Sequence, residues 1–399
     1  MSSGGLSAPR LARLHDVMTT HVESGAVPGL VMLVERRGET HVDAIGTLSL
    51  DGGGPMRAES IFRIASMTKL VVAAAAMILV EECRLRLDDP VDSWLPELAD
   101  RRVLTAIGAP LDDTTPAKRA ISLRDLLTFR LGIGAVVAPP WTYPIQTAML
   151  KRGLAPGPNP PERSPDEWLA RLGELPLIHQ PGEAWMYHTG SDVVGILIAR
   201  AAGQSLSAFL AERIFGPLGM VDTTFWTPAE KIHRMPTSYM SNVSTGGLAV
   251  HDRPEVGRWS RPPVFESGGG GLVSTAADYA AFYRMLLQKG RYRADRILSR
   301  PSVELMTTDQ LTEGQRSQAA VYFGGHSGWG FGAEVNLRRD NVWSNPGRFG
   351  WTGGVGTCAY VDPREELIGV LLTQRMLDSP QPPSVFRDFW TSVYQAIDD

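Results

Sequence analysis

The residues best suited to chemistry are a serine and a lysine three positions apart, Ser66 and Lys69. On a helix this spacing puts both side chains on one face. A serine hydroxyl is a poor nucleophile until a neighbouring group takes its proton, and a lysine can do so when burial lowers its pKa. The apolar run at 70–80 predicts such burial. The pair is therefore a candidate nucleophile and base, although a chance match of this short pattern stays open.

A tyrosine in the middle of the chain is the second candidate. Tyr187 follows a proline-rich stretch and precedes a helix that we expect to begin near Asp192. Its phenol could share the proton of the serine, but a packed aromatic with a hydrogen-bonded hydroxyl is the alternative. His188 could titrate near neutrality or make a structural hydrogen bond, which we favour. Asp192 is expected to cap the helix rather than to act in the site.

The third candidate is the segment Trp351-Thr352-Gly353-Gly354 near the C-terminus. Small residues there let a substrate lie along an edge strand and receive backbone hydrogen bonds. An ordinary glycine-rich turn is the alternative. Aromatic residues in two irregular regions either wall an acyl pocket or simply pack: Trp141, Tyr143, Trp226 and Trp259.

Composition and missing motifs exclude several other classes. The chain has 399 residues and a net charge of −4, which argues against a nucleic-acid binder. The longest apolar run is too short to span a membrane, and the N-terminus does not read as a signal peptide. Cys83 and Cys358 do not form a disulfide framework and are interpreted as buried, so we expect a cytoplasmic enzyme. Zinc, nucleotide and Gly-x-Ser-x-Gly motifs are missing, so we expect no metal and no cofactor.

The distribution of elements predicts an α+β fold. Strand-like runs lie at both ends of the chain, and the middle is mainly helical and rich in proline and tryptophan. We therefore expect residues 1–87 and 267–399 to form one domain around an antiparallel sheet, with 88–266 inserted as a helical domain. The expected helices are 7–24, 66–83, 121–129, 165–172, 192–202, 207–215, 275–289 and 384–397. The expected strands are 29–35, 40–48, 330–337, 356–361 and 367–373, and the expected loops are 138–165 and 227–266.

The order and spacing of the three candidate segments resemble the serine β-lactamase and penicillin-binding-protein superfamily. The pattern is similar to the class C β-lactamase-like branch and, within it, to the family VIII carboxylesterases. The resemblance covers about residues 25 to 390 and implies a β-lactamase/transpeptidase-like fold. Other sequence segments also fit the family pattern: ISLRDLLT at 121–128, PLGM at 217–220, GLVSTAAD at 271–278 and VDP at 361–363.

The resemblance also implies roles for the candidate residues. Ser66 is then the nucleophile that forms an acyl-enzyme, and Lys69 and Tyr187 are a coupled proton-transfer pair, with the base of each step left open. The backbone N–H groups of Ser66 and Gly354 would form the oxyanion hole.

Two departures from the family pattern bear on the substrate. Trp351 replaces the lysine of the usual Lys-Thr-Gly strand, and Thr189 stands where the Tyr-x-Asn motif has asparagine. Losing that cation weakens recognition of an anionic β-lactam and favours a neutral small-molecule ester. Trp351, Thr352, Gly353 and Thr189 are the expected substrate-binding residues. The open alternatives are a β-lactamase or D-alanyl carboxypeptidase, an acyltransferase of a small-molecule pathway, and an inactive binding protein; the oligomeric state is left open.

Overall fold

The α+β architecture expected from the sequence is confirmed. A computed structural model describes residues 4–242, 244 and 246–399. Its largest sheet is antiparallel and takes strands from both ends of the chain. The strands of the described residues are β1 (Gly29–Arg36), β2 (Glu39–Gly46), β3 (Phe62–Arg63), β4 (Arg102–Leu104), β5 (Thr114–Pro116), β6 (Ser238–Asn242), β7 (Gly247–Asp252), β8 (Val273–Ser274), β9 (Arg291–Tyr292), β10 (Asp295–Arg296), β11 (Ser327–Trp329), β12 (Glu334–Asn336), β13 (Phe349–Gly353), β14 (Thr357–Asp362) and β15 (Leu367–Thr373).

The sheet has seven strands in the order β11-β12-β13-β14-β15-β1-β2. Strand β1 joins the N-terminal hairpin to the C-terminal strands, with Leu33 opposite Val370 of β15. Strand β13 pairs with β14, and Gly353 lies opposite Thr357 at the end of that ladder. The sheet therefore fixes β13 relative to both termini.

Helices cover both faces of this sheet. Because strand side chains alternate between faces, Val31 and Leu33 join the larger hydrophobic core while Leu30 and Met32 join a second one. The helices, in chain order, are α1 (Ala8–Glu23), α2 (Thr68–Glu81), α3 (Leu123–Leu127), α4 (Pro144–Arg152), α5 (Pro165–Gly173), α6 (Thr189–Ala202), α7 (Leu206–Leu210), α8 (Gly216–Leu218), α9 (Ala276–Leu287), α10 (Arg300–Met306), α11 (Glu313–Gln318), α12 (Ala320–Phe323) and α13 (Ser384–Gln395). Short 3₁₀ turns lie at Ala65–Met67, Pro96–Leu98, Ile232–Arg234 and Arg258–Ser260, and a π turn lies at Ala211–Phe215.

The two regions expected to be loops contain regular structure. The proline-rich stretch 138–165 contains helix α4. The helix can form there because Pro144 occupies its first turn, where proline is tolerated, and Gly153 ends it in a left-handed conformation. The other prolines of this stretch flank the helix. The segment 227–266 contains the hairpin of β6 and β7. Both loop predictions were wrong in part.

Two further expectations need correction. Of the strand expected at 330–337, only Glu334–Asn336 is strand, as β12, and it pairs in a hairpin with β11, which lies just before the expected range. Cys83 is exposed rather than buried, since it lies just beyond the end of α2, whereas Cys358 is buried as expected.

Within the described residues, no single helix has the length and hydropathy needed to cross a membrane. One pair bent by 80°, Thr189–Ala202 with Leu206–Leu218, passes that test by length and composition.

Candidate active site

The turn that carries Ser66 is held between a buried helix and the sheet. Ser66 lies in the 3₁₀ turn Ala65–Met67, directly before α2. Tyr279 of α9 donates its phenol hydrogen to the Met67 carbonyl at 2.8 Å, and Tyr283 donates to the Ala359 carbonyl of β14 at 2.8 Å. Helix α9 therefore joins the serine turn to the central sheet.

Lys69 is buried in the first turn of α2, with 1% of its surface exposed. Its Nζ lies 2.8 Å from Ser66 Oγ and donates to the Gly269 carbonyl. The same nitrogen lies 3.2 Å from His188 Nδ1 and 4.8 Å from the centre of the Tyr187 ring. The structure thus brings the lysine, the serine and the tyrosine together in one place.

Burial moves the pKa values of the two proton-transfer candidates in opposite directions. It lowers the pKa of Lys69 to about 7, although the negative charge of Asp192 works against this shift. It raises the pKa of the Tyr187 phenol above its usual value, despite hydrogen bonds with Ser66 and Trp351. At neutral pH the lysine can be an uncharged amine while the tyrosine keeps its proton.

Trp351 does more than form an apolar wall. Its indole Nε1–H donates to the Tyr187 hydroxyl at 2.6 Å. Its ring packs edge-on against Trp329, with the ring centres 4.8 Å apart. The indole thus orients the phenol oxygen, a role that an apolar interpretation of this residue misses.

Strand β13 approaches the serine turn closely at Gly353. A Cβ atom at this position would lie 2.5 Å from the Ile64 carbonyl and 2.2 Å from Thr357 Oγ1. Gly353 therefore serves close packing between β13 and the serine turn. The next residue, Gly354, lines the same cavity as Ser66, and the oxyanion-hole role of these two backbone N–H groups stays a prediction.

Ser66 opens into a cavity of about 360 Å³. Of the expected substrate-binding residues, Trp351 and Thr352 line it, whereas Thr189 and Gly353 are not among its described lining residues. The Thr189 hydroxyl, in the first turn of α6, is buried and has no hydrogen-bond partner among the described residues. The sequence analysis missed several wall residues, for which it had no motif: Ala135, Pro156, Gly157, Pro158, Gly270, Tyr322, Met376, Leu377, Asp378, Ser379 and Pro380.

The four aromatic residues considered as possible walls of the acyl pocket do not line the cavity next to Ser66: Trp141, Tyr143, Trp226 and Trp259. None of them is among the described residues of the cavity wall. Trp141 is exposed, and Trp259 is buried with its indole N–H donating to the Gly271 carbonyl at 3.0 Å. Packing was therefore the better interpretation for Trp259.

His188 and Asp192 belong to the site more directly than expected. Helix α6 begins at Thr189, so Asp192 is inside the first turn instead of capping the helix. Its buried carboxylate lies 3.3 Å from His188 Nε2 and accepts hydrogen bonds from Ser267 Oγ at 2.6 Å and from the Gly269 N–H at 2.9 Å. His188 in turn contacts Lys69 and lines the cavity. In the described residues, no group of three or more His, Cys, Asp or Glu side chains is placed to hold a metal ion.

Comparison with known proteins supplies an independent line of evidence. A family model described as Beta-lactamase matches residues 14–386. Protein Rv1367c of Mycobacterium tuberculosis is 38% identical over 379 residues, which cover 92% of this chain and 90% of that protein. Esterase EstB of Burkholderia gladioli is 28% identical over 396 residues, covering 94% and 93%. Other relatives include fungal acyltransferases.

A solved structure has the same fold over nearly the whole chain. The structure of EstCE1, described as a hydrolase with promiscuous acyltransferase activity, matches with a TM-score of 0.80 at 23% identity. The match covers 96% of this chain and 98% of the other. At this level of identity the likeness shows the fold alone.

Proposed function

We propose that this chain, which belongs to the β-lactamase family, hydrolyses carboxylic esters through an acyl intermediate on Ser66. The observation that carries the proposal is the 2.8 Å contact between Ser66 Oγ and the Lys69 amine, whose pKa is lowered to about 7. A buried amine that is uncharged near neutral pH can take the serine proton as the hydroxyl attacks.

The proposed reaction has two stages. In the first, Ser66 Oγ forms a bond to the ester carbonyl carbon while its proton passes to the Lys69 amine. The tetrahedral oxyanion is stabilised by the backbone N–H groups of Ser66 and Gly354. The bond to the leaving oxygen then breaks, and Tyr187 donates a proton to that oxygen and recovers one from Lys69. In the second stage water forms a bond to the acyl carbon and gives a proton to the Lys69–Tyr187 pair. The bond between the acyl carbon and Ser66 Oγ then breaks, that oxygen takes a proton back from the pair, and the acid is released.

The assignment of Lys69 as base and Tyr187 as acid in the first stage rests on their opposite pKa shifts. A base works best when its pKa lies near the working pH. A phenol with a raised pKa keeps its proton until a more basic alkoxide forms.

The cavity wall favours a neutral substrate. The described lining residues include neither lysine nor arginine, and Asp378 is an acid among them. Trp351 occupies the position where the family pattern has a lysine that would bind a substrate carboxylate. Its indole N–H already donates to Tyr187 and is not free to bind such a group. Apolar wall residues suit a short acyl or alcohol group: Pro156, Pro158, Tyr322, Met376, Leu377 and Pro380. The esterase among the relatives supports the same choice.

The test is a substrate panel assayed on purified protein. We expect turnover of short-chain p-nitrophenyl esters and slow or undetectable turnover of the β-lactam nitrocefin. Ser66→Ala should abolish ester turnover, which controls for a contaminating esterase. Nitrocefin turnover that rivals the esters would contradict the account of Trp351.

Acyl transfer is the second candidate, because the relatives include acyltransferases as well as esterases. Both activities pass through the same acyl-serine, and they differ in whether water or an alcohol accepts the acyl group. Product analysis with added alcohols separates them. A new ester formed at the expense of the free acid would favour transfer, whereas an unchanged acid yield would favour hydrolysis.

A further inference from the structure

We propose that His188, aligned by Asp192, is a positioning residue that directs the lone pair of the Lys69 amine at Ser66. The proposal rests on the proposed acyl-serine chemistry and adds a specific structural requirement to it. Its basis is a set of contacts around one nitrogen atom, Lys69 Nζ.

The first step concerns the hydrogen on the His188 ring. Its Nε2 faces the Asp192 carboxylate at 3.3 Å, and its Nδ1 faces Lys69 Nζ at 3.2 Å. An ionised carboxylate can only accept hydrogen bonds, so the proton of the neutral imidazole belongs on Nε2. Nδ1 is then a free acceptor that points at the lysine.

The second step concerns the hydrogens of the amine. An uncharged amine has two N–H groups and one lone pair. The Gly269 carbonyl accepts one N–H, and His188 Nδ1 accepts the other. The remaining direction, the lone pair, faces Ser66 Oγ at 2.8 Å, where it can accept the serine proton.

Asp192 holds both of these acceptors in place. One carboxylate oxygen, Oδ1, accepts from the Gly269 N–H at 2.9 Å and from Ser267 Oγ at 2.6 Å, while Oδ2 faces the His188 ring. A single buried carboxylate therefore fixes the peptide on one side of Lys69 and the imidazole on the other.

The backbone at His188 is unusual and places two side chains together. Its φ of 82° and ψ of −60° are rarely adopted by a residue with a side chain, and the Thr189 N–H bonds to the Tyr187 carbonyl at 3.3 Å. This tight turn lets Tyr187 and His188, neighbours in sequence, both contact Lys69. Strained backbone of this kind is concentrated at functional sites.

The electrostatics agree with a neutral imidazole next to an ionised carboxylate. Burial lowers the pKa of His188, and Lys69 lowers it further, although Asp192 raises it. Burial works to raise the pKa of Asp192, but hydrogen bonds from His188, Ser267 and Gly269 leave it lowered. Tyr187, the other titratable group facing the lysine, stays protonated because burial raises its pKa.

The experiment measures how fast a fluorophosphonate phosphonylates Ser66, with fluoride as the leaving group, between pH 5 and pH 10, in the intact protein and in three variants. His188→Asn keeps a side-chain acceptor and tolerates the left-handed backbone better than most residues, so we expect a rate within about tenfold of the parent. His188→Leu removes the acceptor, and we expect a rate about 10²-fold slower, as for a misplaced reacting group.

The pH profile separates positioning from a merely structural effect. Without an acceptor at 188 the ammonium form of Lys69 is less stable, so in His188→Leu the acid limb of the profile should move to lower pH. In His188→Asn the limb should stay in place. Asp192→Asn keeps the histidine but presents an amide N–H to Nε2, so it should slow the reaction as the leucine variant does. Its acid limb should also move to lower pH, but partly because the variant removes the negative charge that raises the pKa of Lys69, so the readout for this variant is the rate. This variant carries the test if the leucine variant does not fold.

Each outcome is decisive. Equal rates and equal limbs in His188→Leu, Asp192→Asn and the parent would overturn the positioning role and leave the acyl-serine chemistry standing. Failure of the parent protein to be labelled at Ser66 would overturn both proposals.

Discussion

At the scale of residues, the chemistry depends on one buried amine. Lys69 contributes a proton acceptor because it is buried in the first turn of α2, and burial disfavours its charged form and brings its pKa to about 7. The sequence was sufficient to nominate Ser66, Lys69 and Tyr187, since the spacing of the first two predicts a shared helix face and the apolar run predicts burial.

The sequence was not sufficient to find the role of His188. Nothing in the pattern Tyr187-His188-Thr189 reveals that the backbone turns sharply at the middle residue. Thr189 was an expected substrate-binding residue, but the turn presents His188 to Lys69, and the buried Thr189 hydroxyl has no hydrogen-bond partner among the described residues. Such a turn is fixed by tertiary contacts and is not visible in residue types.

The first prediction concerns the proton-transfer pair. Lys69→Ala and Tyr187→Phe should each lower kcat for an alkyl ester, whose alkoxide leaving group needs a proton, by at least about 10²-fold, as expected for a lost general base or acid. In the parent protein kcat/KM should fall as the pH drops below about 7, because protonation removes the lone pair of Lys69.

The measurement is a pH series of initial rates, with circular dichroism as the check on folding. A folded Lys69→Ala variant with nearly normal kcat would remove the lysine from the mechanism. An acid limb near pH 4 to 5 would instead assign the base to a carboxylate.

At the scale of elements, the site depends on how closely β13 approaches the serine turn. Several elements here were predictable from sequence: α9 has Thr275 as its expected cap, with its side chain accepting from the Asp278 N–H, and β15 spans the expected residues. The close approach of Gly353 to the Ile64 carbonyl was not predictable, because it joins residues almost 300 positions apart.

The second prediction is that Gly353→Ala destabilises the protein and slows acylation. Its methyl group would collide with Thr357 Oγ1 and with the Ile64 carbonyl, and the carbonyl is backbone that cannot move without shifting the serine turn. Overpacking of this kind costs about 1–3 kcal/mol in the free energy of unfolding. Chemical denaturation and the rate of fluorophosphonate labelling measure the two effects.

Gly354→Ala is the matched control for stability. A Cβ atom at position 354 has no neighbour within 4 Å, so its unfolding midpoint should equal that of the parent. Equal destabilisation of both variants would mean that the close approach at Gly353 has no special role.

At the scale of the whole molecule, the sheet made from both ends must be joined to the long middle segment. One buried ion pair makes such a connection: Arg63 of β3 contacts the Asp252 carboxylate at the end of β7, and donates to the Pro236 carbonyl at 2.7 Å. Both side chains are 3% exposed. The general order of strands and helices was predictable, but this connection was not, because 227–266 offered no strand pattern. The domain bounds 1–87 with 267–399 and 88–266, and the cytoplasmic location, stay predictions.

The third prediction tests that connection. Arg63→Met leaves the Asp252 carboxylate buried without its cation, which should lower the free energy of unfolding by about 3–5 kcal/mol. Adding Asp252→Asn removes the unpaired buried charge and keeps an acceptor for the Arg258 N–H. The double variant should therefore recover much of the lost free energy of unfolding. Denaturant titrations of the single and double variants measure the difference.

Arg253 and Asp51 supply the control, since they connect the same regions at the surface. Their atoms are 3.1 Å apart and both side chains are largely exposed. Arg253→Met should therefore change the free energy of unfolding by only about 0–1 kcal/mol. A comparable loss in Arg63→Met and Arg253→Met would show that burial is not what makes the inner pair matter.

The central claim is that Ser66 is the nucleophile, and the most direct test is to find where a serine-reactive probe attaches. After treatment with a fluorophosphonate, mass spectrometry of the intact protein should show one adduct, and peptide mapping should place it on Ser66. Ser66→Ala should carry no adduct and should not hydrolyse esters. An adduct at another residue, or full ester hydrolysis by Ser66→Ala, would contradict the account.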